Sequence, residues 1–248
     1  MRPRFGCLFA AALCCWAPIS CVAAPCADWG KIGSRAALEG FGERGCATLR
    51  GKLWILDTTD VVDLEVLSNL TNIIDGWLEL DRNAELTNVR GLRNRRGVVL
   101  IGFVWIQANP KLGSLDGLEG IVELGKDYKG RSLYIEANDV LASIAGLGGV
   151  SGVLPGAIYV DSNPALVSFD GLEGVTGVAG YHSSGNSIYI ESNAVLRSVA
   201  ALDNVQGDLT GFLVVMDNPT LESPQGLHGI RAAGTEAAWQ GQAVYIRG

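Results

Sequence analysis

The sequence predicts an all-β solenoid of stacked parallel strands, and three observations carry that prediction. A phrase recurs: "NPKLGSLDGLEGI" begins at Asn109, "NPALVSFDGLEGV" at Asn163, and the more worn "NPTLESPQGLHGI" at Asn218. A short run of alternating apolar residues recurs every 25–31 residues. Between these runs the apolar residues are spaced by three, not by the mixed threes and fours of an amphipathic helix.

The first 23 residues stand outside the repeat. Arg2 and Arg4 precede "FGCLFAAALCCWAPIS", and the small residues of "CVAA" follow. This is the pattern of a secretory signal peptide cut after Ala23. The rival is an uncleaved anchor, because no charge falls between Phe5 and Ala27 and such a run could just span a bilayer. A membrane is therefore a partner only in that second case. Cys7, Cys14, Cys15 and Cys21 leave with the signal, so Cys26 and Cys46 remain and are expected to pair in an oxidising compartment. The bridge closes a loop of about 20 residues, worth roughly 3 kcal/mol in the chain-entropy account. Residues 24–50 are expected to form an N-terminal cap around it. Asn69-Leu70-Thr71 is an N-glycosylation sequon and suits a secreted surface.

From residue 51 the solenoid begins. The runs "KLWIL", "WLELD", "FVWIQ", "SLYIE", "AIYVD", "SIYIE", "FLVVM" and "AVYIR" align on Leu53, Leu78, Val104, Leu133, Ile158, Ile188, Leu213 and Val244. The steps are 25, 26, 29, 25, 30, 25 and 31, which makes seven turns and the opening of an eighth. Each run alternates with period two and is rich in Ile, Val and Tyr, so it is read as a strand. Five residues past the aligned position stands Asn83, Asn109, Asn138, Asn163, Asn193 or Asn218, with Thr58 in the first turn. These amides are expected to stack as a structural ladder at a bend, because Asn bonds neighbouring backbone and tolerates left-handed geometry. Apolar residues follow in threes, such as Leu112, Leu115, Leu118 and Ile121. They are expected on short extended pieces joined by bends. Segments this short cannot bury a face alone, and stacking gives them a continuous core. Eight strands at about 4.8 Å spacing make a sheet roughly 34 Å tall. Steps near 25 and 30 alternate, and Asn-Pro marks alternate turns, so the copied unit is two turns, about 55 residues.

"SLYIEANDVLASIAGLGGV" and "AIYVDSNPALVSFDGLEGV" resemble the receptor L-domain family, the leucine-rich-repeat-related right-handed parallel β-helix of insulin and epidermal growth factor receptor ectodomains, also present in fungal cell-wall proteins. The resemblance spans residues 51–248 and implies that fold, with extracellular ligand binding through its β-face. The Cys-rich modules, membrane span and kinase of the growth-factor receptors have no counterpart here, so signalling is not implied.

Period two also says what faces outward. One offset gives Trp54, Glu79, Trp105, Tyr134, Tyr159, Tyr189, Val214 and Tyr245, an aromatic stripe. Two residues on, Asp81, Gln107, Glu136, Asp161, Glu191, Met216 and Arg247 make a stripe that is acidic in the middle turns. Stacked aromatics can simply stabilise a sheet, but like charges about 5 Å apart repel unless a cationic or hydrogen-bonding group relieves them. The extra residues of the long turns, "GKDYKGR", "AGYHSSGNS" and "GTEAAWQGQ", each carry one aromatic: Tyr128, Tyr181 and Trp239. Equivalent positions would set these aromatics two turns apart, roughly 10 Å, on one edge, and inserted loops on one face of a repeat protein are often its binding face. Trp105, Tyr134, Tyr159, Tyr189, Glu136, Asp161, Glu191, Tyr128, Tyr181 and Trp239 are the candidate ligand-binding residues. Arg93-Asn94-Arg95-Arg96 interrupts the second turn as a basic loop that could meet a sulfated glycan or a processing protease.

The charges and motifs narrow the function. Without residues 1–23 the chain has 17 basic against 26 acidic residues, a net charge of −9, which does not suit nucleic acid. The two histidines, His182 and His228, sit in unrelated loops, and no catalytic or metal motif is written, so no cofactor or metal is expected. A polysaccharide-cleaving β-helix would need paired carboxylates such as Asp161 and Glu191, and no Lys or Arg is expected beside them. The expectation is a secreted or cell-surface, non-enzymatic recognition module for an extracellular protein or glycan, with a structural wall component as the alternative. "AVYIRG" opens an eighth turn without a polar cap, which leaves an end-to-end homodimer open.

Overall fold

A computed structural model describes residues 24–27, 30–93, 98–100, 102–234 and 243–247. The expected signal segment, Trp239 and Arg95–Arg96 lie outside these residues. The described chain coils as a right-handed β-solenoid. Its main wall is one sheet of nine parallel strands stacked in chain order. They are Lys31–Ile32, Leu53–Leu56, Leu78–Asp81, Val104–Gln107, Arg131–Glu136, Ala157–Asp161, Asn186–Glu191, Phe212–Met216 and Val244–Arg247. Eight are the expected runs. The ninth, Lys31–Ile32, pairs with Trp54–Ile55, so the solenoid starts inside the expected cap. The rest of that cap is α1, Arg35–Gly42, whose Ser34 hydroxyl accepts from the Ala37 N–H at 3.2 Å. Leu38 and Phe41 on α1 close the end of the core. Cys26 and Cys46 are disulfide-bonded, as expected, with Cα atoms 6.0 Å apart. Asn69 is exposed. Among the described residues no helix is long and apolar enough to cross a membrane.

The register follows the sequence alignment strand by strand. Val104, Leu133, Ile158, Ile188 and Leu213 stack in one inward column, and each is under 5% exposed. One position on, Trp105, Tyr134, Tyr159, Tyr189 and Val214 stack outward. At the bend the Asn ladder forms as expected: the Oδ1 of each Asn accepts the backbone N–H of the Asn one turn below, at 3.0–3.2 Å from Asn83 to Asn218. Each amide nitrogen donates inward to a strand carbonyl, as Asn138 Nδ2 does to Ile106 at 3.0 Å. The left-handed conformation is not on the Asn, however. It falls on the residue before it: Asp57, Arg82, Ala108, Ala137, Ser162, Ser192 and Asp217 all have φ between 51° and 56°. The Asn needs ordinary backbone so that its side chain can turn inward beneath that bend.

The apolar threes also need correction. In four turns one step lies on a 3₁₀ turn, Glu65–Leu67, Arg90–Leu92, Ala145–Leu147 or Ala200–Leu202, while in the others the expected extended pieces and bends hold, with Ile121 and Val175 opening short strands. Leu147 N–H bonds the Ile144 carbonyl at 2.9 Å. A 3₁₀ helix has three residues per turn, so a strict step of three keeps every apolar side chain on one face. In the alternate turns Gly117, Gly171 and Gly226 replace that turn with φ of 105–120°, and a Cβ there would fall 2.1–2.6 Å from a carbonyl oxygen of the turn below. That is why Gly-Leu recurs in all three copies of the phrase. A second short strand per turn pairs mostly in twos, as in Gly152–Leu154 with Val175–Val178, which follows the two-turn unit.

Candidate functional site

The first two long turns do more than insert a loop. Each of these two shifts the strand register by one residue: Arg131 pairs with Ala157 while Leu133 pairs with Ile158, and Asn186 pairs with Phe212 while Ile188 pairs with Leu213. Such a bulge re-aims side chains. It turns Ser132 and Ser187 inward, where each hydroxyl donates to a loop carbonyl (Gly125 or Gly180) and accepts a backbone N–H (Gly156 or Gly211). It also sets the Arg131 guanidinium over the outer face, 4.0 Å from the Trp105 ring centre and 4.7 Å from that of Tyr134. Arg131 is 3% exposed and is held by the buried Asp127, whose other oxygen accepts the backbone N–H groups of Lys129 and Arg131 at 2.9 and 2.8 Å. The sequence reading placed no cation on the middle turns of this face, and the bulge is what brings one there.

Beneath Arg131 runs a continuous aromatic column. Trp77 stacks on Phe103 at 5.4 Å, Phe103 meets Trp105 at 6.2 Å, and Trp105, Tyr134, Tyr159 and Tyr189 follow at 4.5, 4.7 and 4.5 Å. The expected outward stripe is therefore partly roofed: Tyr134 is only 9% exposed, while Tyr159 and Tyr189 remain half-buried. The carboxylate stripe is relieved from within. Tyr134 Oη donates to Glu136 at 2.6 Å, Tyr189 Oη donates to Glu191, Gln107 donates to Glu136, and Ser162 donates to Asp161 at 2.9 Å. Burial first, and then the Glu191 and Glu136 carboxylates, still hold the Asp161 carboxyl above its usual range, against the pull of Ser162.

At its lower end the column opens into a cleft of about 580 Å³ lined by Trp54, Trp77, Phe103, Trp105 and Tyr128, with Asp75, Glu79, Lys126, Asp127 and Arg131 among its polar groups. Its floor is Gly76 and Gly102; a Cβ on Gly76 would meet the Gly51 carbonyl oxygen at 1.7 Å. The indoles are fixed by hydrogen bonds two residues along their own strands, Trp77 to Glu79 at 3.3 Å and Trp105 to Gln107 at 3.1 Å. Trp54 has Leu56 at that place, and its Nε1 is buried without a partner, as is Asp81 Oδ1. Burial, the largest cause, lifts the Asp81 carboxyl to about 6, although Arg82 beside it pulls the other way.

Of the candidate residues, Trp105 and Tyr128 line this cleft, and Tyr134, Tyr159 and Tyr189 continue from it, flanked by Glu136, Asp161 and Glu191. Tyr181 does not join them. Aligning Arg131 with Asn186 matches Tyr181 to Lys126, not to Tyr128, so the two tyrosines are not at equivalent loop positions. The loops touch directly, through Ser183 N–H to the Lys129 carbonyl at 2.8 Å. The same alignment matches His182 to Asp127, and the His182 ring meets Tyr159 at 5.8 Å, so its loop position is related to the site after all. Trp54, Trp77, Phe103 and Lys52 were missed as site residues. A signal existed: Lys52, Trp77 and Phe103 share the offset just before the aligned position, which by period two faces outward. Among the described residues no cluster of His, Cys, Asp and Glu is arranged to hold a metal. No family model matches the chain, and no curated protein or solved structure does so either.

Proposed function

We propose that the chain is a secreted or cell-surface recognition module, non-enzymatic, that binds an extracellular protein or glycan through this outer face. One observation carries the reading: three indoles and a stacked tyrosine column stand on the solvent side of a sheet whose core is already filled by the opposite face. Pockets lined by aromatics with a few placed polar groups are the usual form of a ligand site. The resemblance to receptor L-domains agrees with this use of the β-face.

The test is binding of the processed chain to intact cell surfaces and extracellular matrix, beside Tyr159→Ala and Tyr189→Ala. Saturable binding that falls at least tenfold in these variants, with normal secretion and unfolding midpoint, supports the reading. Equal binding by wild type and variants would favour the structural wall component instead. A second reading, polysaccharide cleavage, draws on the raised Asp161 carboxyl between Glu136 and Glu191; saccharide turnover abolished in Asp161→Asn would carry it.

A further inference from the structure

We infer that the cleft bounded by Trp54, Trp77, Phe103, Trp105 and Tyr128 takes an uncharged sugar ring of a glycan. This deepens the recognition reading and rests on it. The lining decides the ligand class by exclusion. A cationic guest is drawn to the face of an aromatic ring, yet the rings already have their cations: the Lys52 amine stands 4.1 Å from the Trp54 ring centre and 5.8 Å from that of Trp77, the Arg131 guanidinium 4.0 Å from that of Trp105, and the Lys129 amine 5.8 Å from that of Tyr128. An anionic guest would meet the Glu79 carboxylate, and the Arg131 charge that could receive it is already matched by Asp127. A peptide added as a strand needs an open backbone edge, and the backbone here is closed on itself, Gly102 N–H to the Gly76 carbonyl at 3.0 Å and Gly125 N–H to the Gly102 carbonyl at 2.7 Å.

What remains is a neutral molecule with apolar faces and many hydroxyls. The C–H face of a pyranose carries the partial positive charge that an aromatic face attracts, and its equatorial hydroxyls reach sideways. The cleft offers both partners: ring faces on Trp77 and Tyr128, whose nearest amines stand no closer than 5.8 Å, and at the sides the Asp75 and Glu79 carboxylates that accept from hydroxyls and the Lys126 amine that donates to them. Its walls need little reorganisation, since the Trp77 and Trp105 indoles are hydrogen-bonded in place. A volume of about 580 Å³ lies within the usual range for a small-molecule site and suits a short oligosaccharide segment.

The experiment titrates the processed chain with neutral gluco-, manno- and galacto-oligosaccharides, reading heat and Trp fluorescence. A uronic-acid oligosaccharide and a Lys/Arg-rich peptide serve as charged comparators. A neutral oligosaccharide is expected to bind and to shift the Trp emission. Trp77→Ala should weaken it at least tenfold and Trp77→Phe much less. Tyr128 is 90% exposed, so Tyr128→Ala removes no core packing, and with an unchanged unfolding midpoint it should weaken binding at least threefold. Lys111→Ala, on an exposed ion pair with Glu85, should leave it unchanged. Binding of the charged comparators alone, or neutral-sugar binding indifferent to both Trp77→Ala and Tyr128→Ala, overturns the inference. The surface-binding assay separates the two levels. If surfaces bind but no neutral saccharide does, the sugar assignment falls and recognition stands. If neither binds, both fall.

Discussion

Removing the carboxylate of Asp127 should damage this protein more than removing both members of its ion pair. Asp127 and Arg131 are 8% and 3% exposed, and the guanidinium is enclosed by Asp127, Trp105 and Tyr134. Asp127→Ala leaves that cation buried without a counter-charge, which costs about 3–5 kcal/mol. It also orphans the backbone N–H groups of Lys129 and Arg131, though the exposed Lys129 can turn to water. Asp127→Asn keeps the oxygen those N–H groups use but turns an amide NH2 against the guanidinium, so it strands the cation too and should also cost about 3–5 kcal/mol, sparing only the loop bonds. In the double variant Asp127→Ala with Arg131→Met, a side chain of similar reach lies on the same rings and no charge is stranded. Its cost should fall to about 1–2 kcal/mol, from the lost loop bonds alone. Urea unfolding followed by Trp fluorescence and far-UV dichroism measures these three and the single Arg131→Met, with shifts in midpoint at constant slope. If the double variant costs the sum of its singles, the pair is not coupled and the account of the clamp is wrong.

Two further predictions concern the frame. Asn138→Ala removes the acceptor of the Asn109 N–H and the donor to the Ile106 carbonyl, both buried, so about 2–6 kcal/mol should be lost in urea unfolding; a loss below 1 kcal/mol would mean the ladder is incidental. Asp81 binds its proton more tightly folded than unfolded, so the stability it contributes is complete below pH 4 and is lost as pH rises through about 6. Asp81→Asn should therefore unfold at a higher urea midpoint at pH 7 and show a flatter profile between pH 4 and 6, while the opposite loss near pH 2, where Asp57 protonates, should remain.

The frame was legible because its periods are set by backbone geometry. Alternation in "SLYIE" fixed both the inward Leu133 column and the outward Tyr134 column, and the constant place of Asn fixed the ladder. The threes were legible as a buried face but not as 3₁₀ turns, since an extended-and-bent path and a three-residue helix write the same spacing. The cleft was only half legible. Trp105 and Tyr128 stood out singly, but the cleft draws its aromatics from two outward offsets and one insert, and only the sheet brings Trp54, Trp77 and Tyr128 to one place. Arg131 was invisible because its direction depends on a bulge, and a bulge leaves no mark beyond a step of 29 in place of 25 or 26.

Among the described residues the clamp occurs once, in the first of the two described inserts; duplication explains why, and that explanation can be tested. The two inserts share a loop: Asp127 N–H bonds the Arg131 carbonyl at 2.9 Å, and His182 N–H bonds the Asn186 carbonyl at 2.8 Å. Asp127 Oδ1 accepts from Lys129 N–H at 2.9 Å, and His182 Nδ1 accepts from Ser184 N–H at 3.2 Å. His182 and Asn186 therefore stand where an ion pair stands in the first copy. Burial and then the nearby Arg131 charge hold the His182 imidazole below its ordinary pKa, so it is neutral at pH 7 and cannot clamp as a cation. Asn186→Arg alone should destabilise, since the new guanidinium would face a neutral ring and the Arg131 charge. Adding His182→Asp supplies both its counter-ion and the loop acceptor, and should recover at least half of that loss, about 1–2 kcal/mol by the range for charged hydrogen bonds. If His182→Asp with Asn186→Arg is no more stable than Asn186→Arg alone, the two inserts are not interchangeable versions of one device, and the aromatic column is held differently at its two ends.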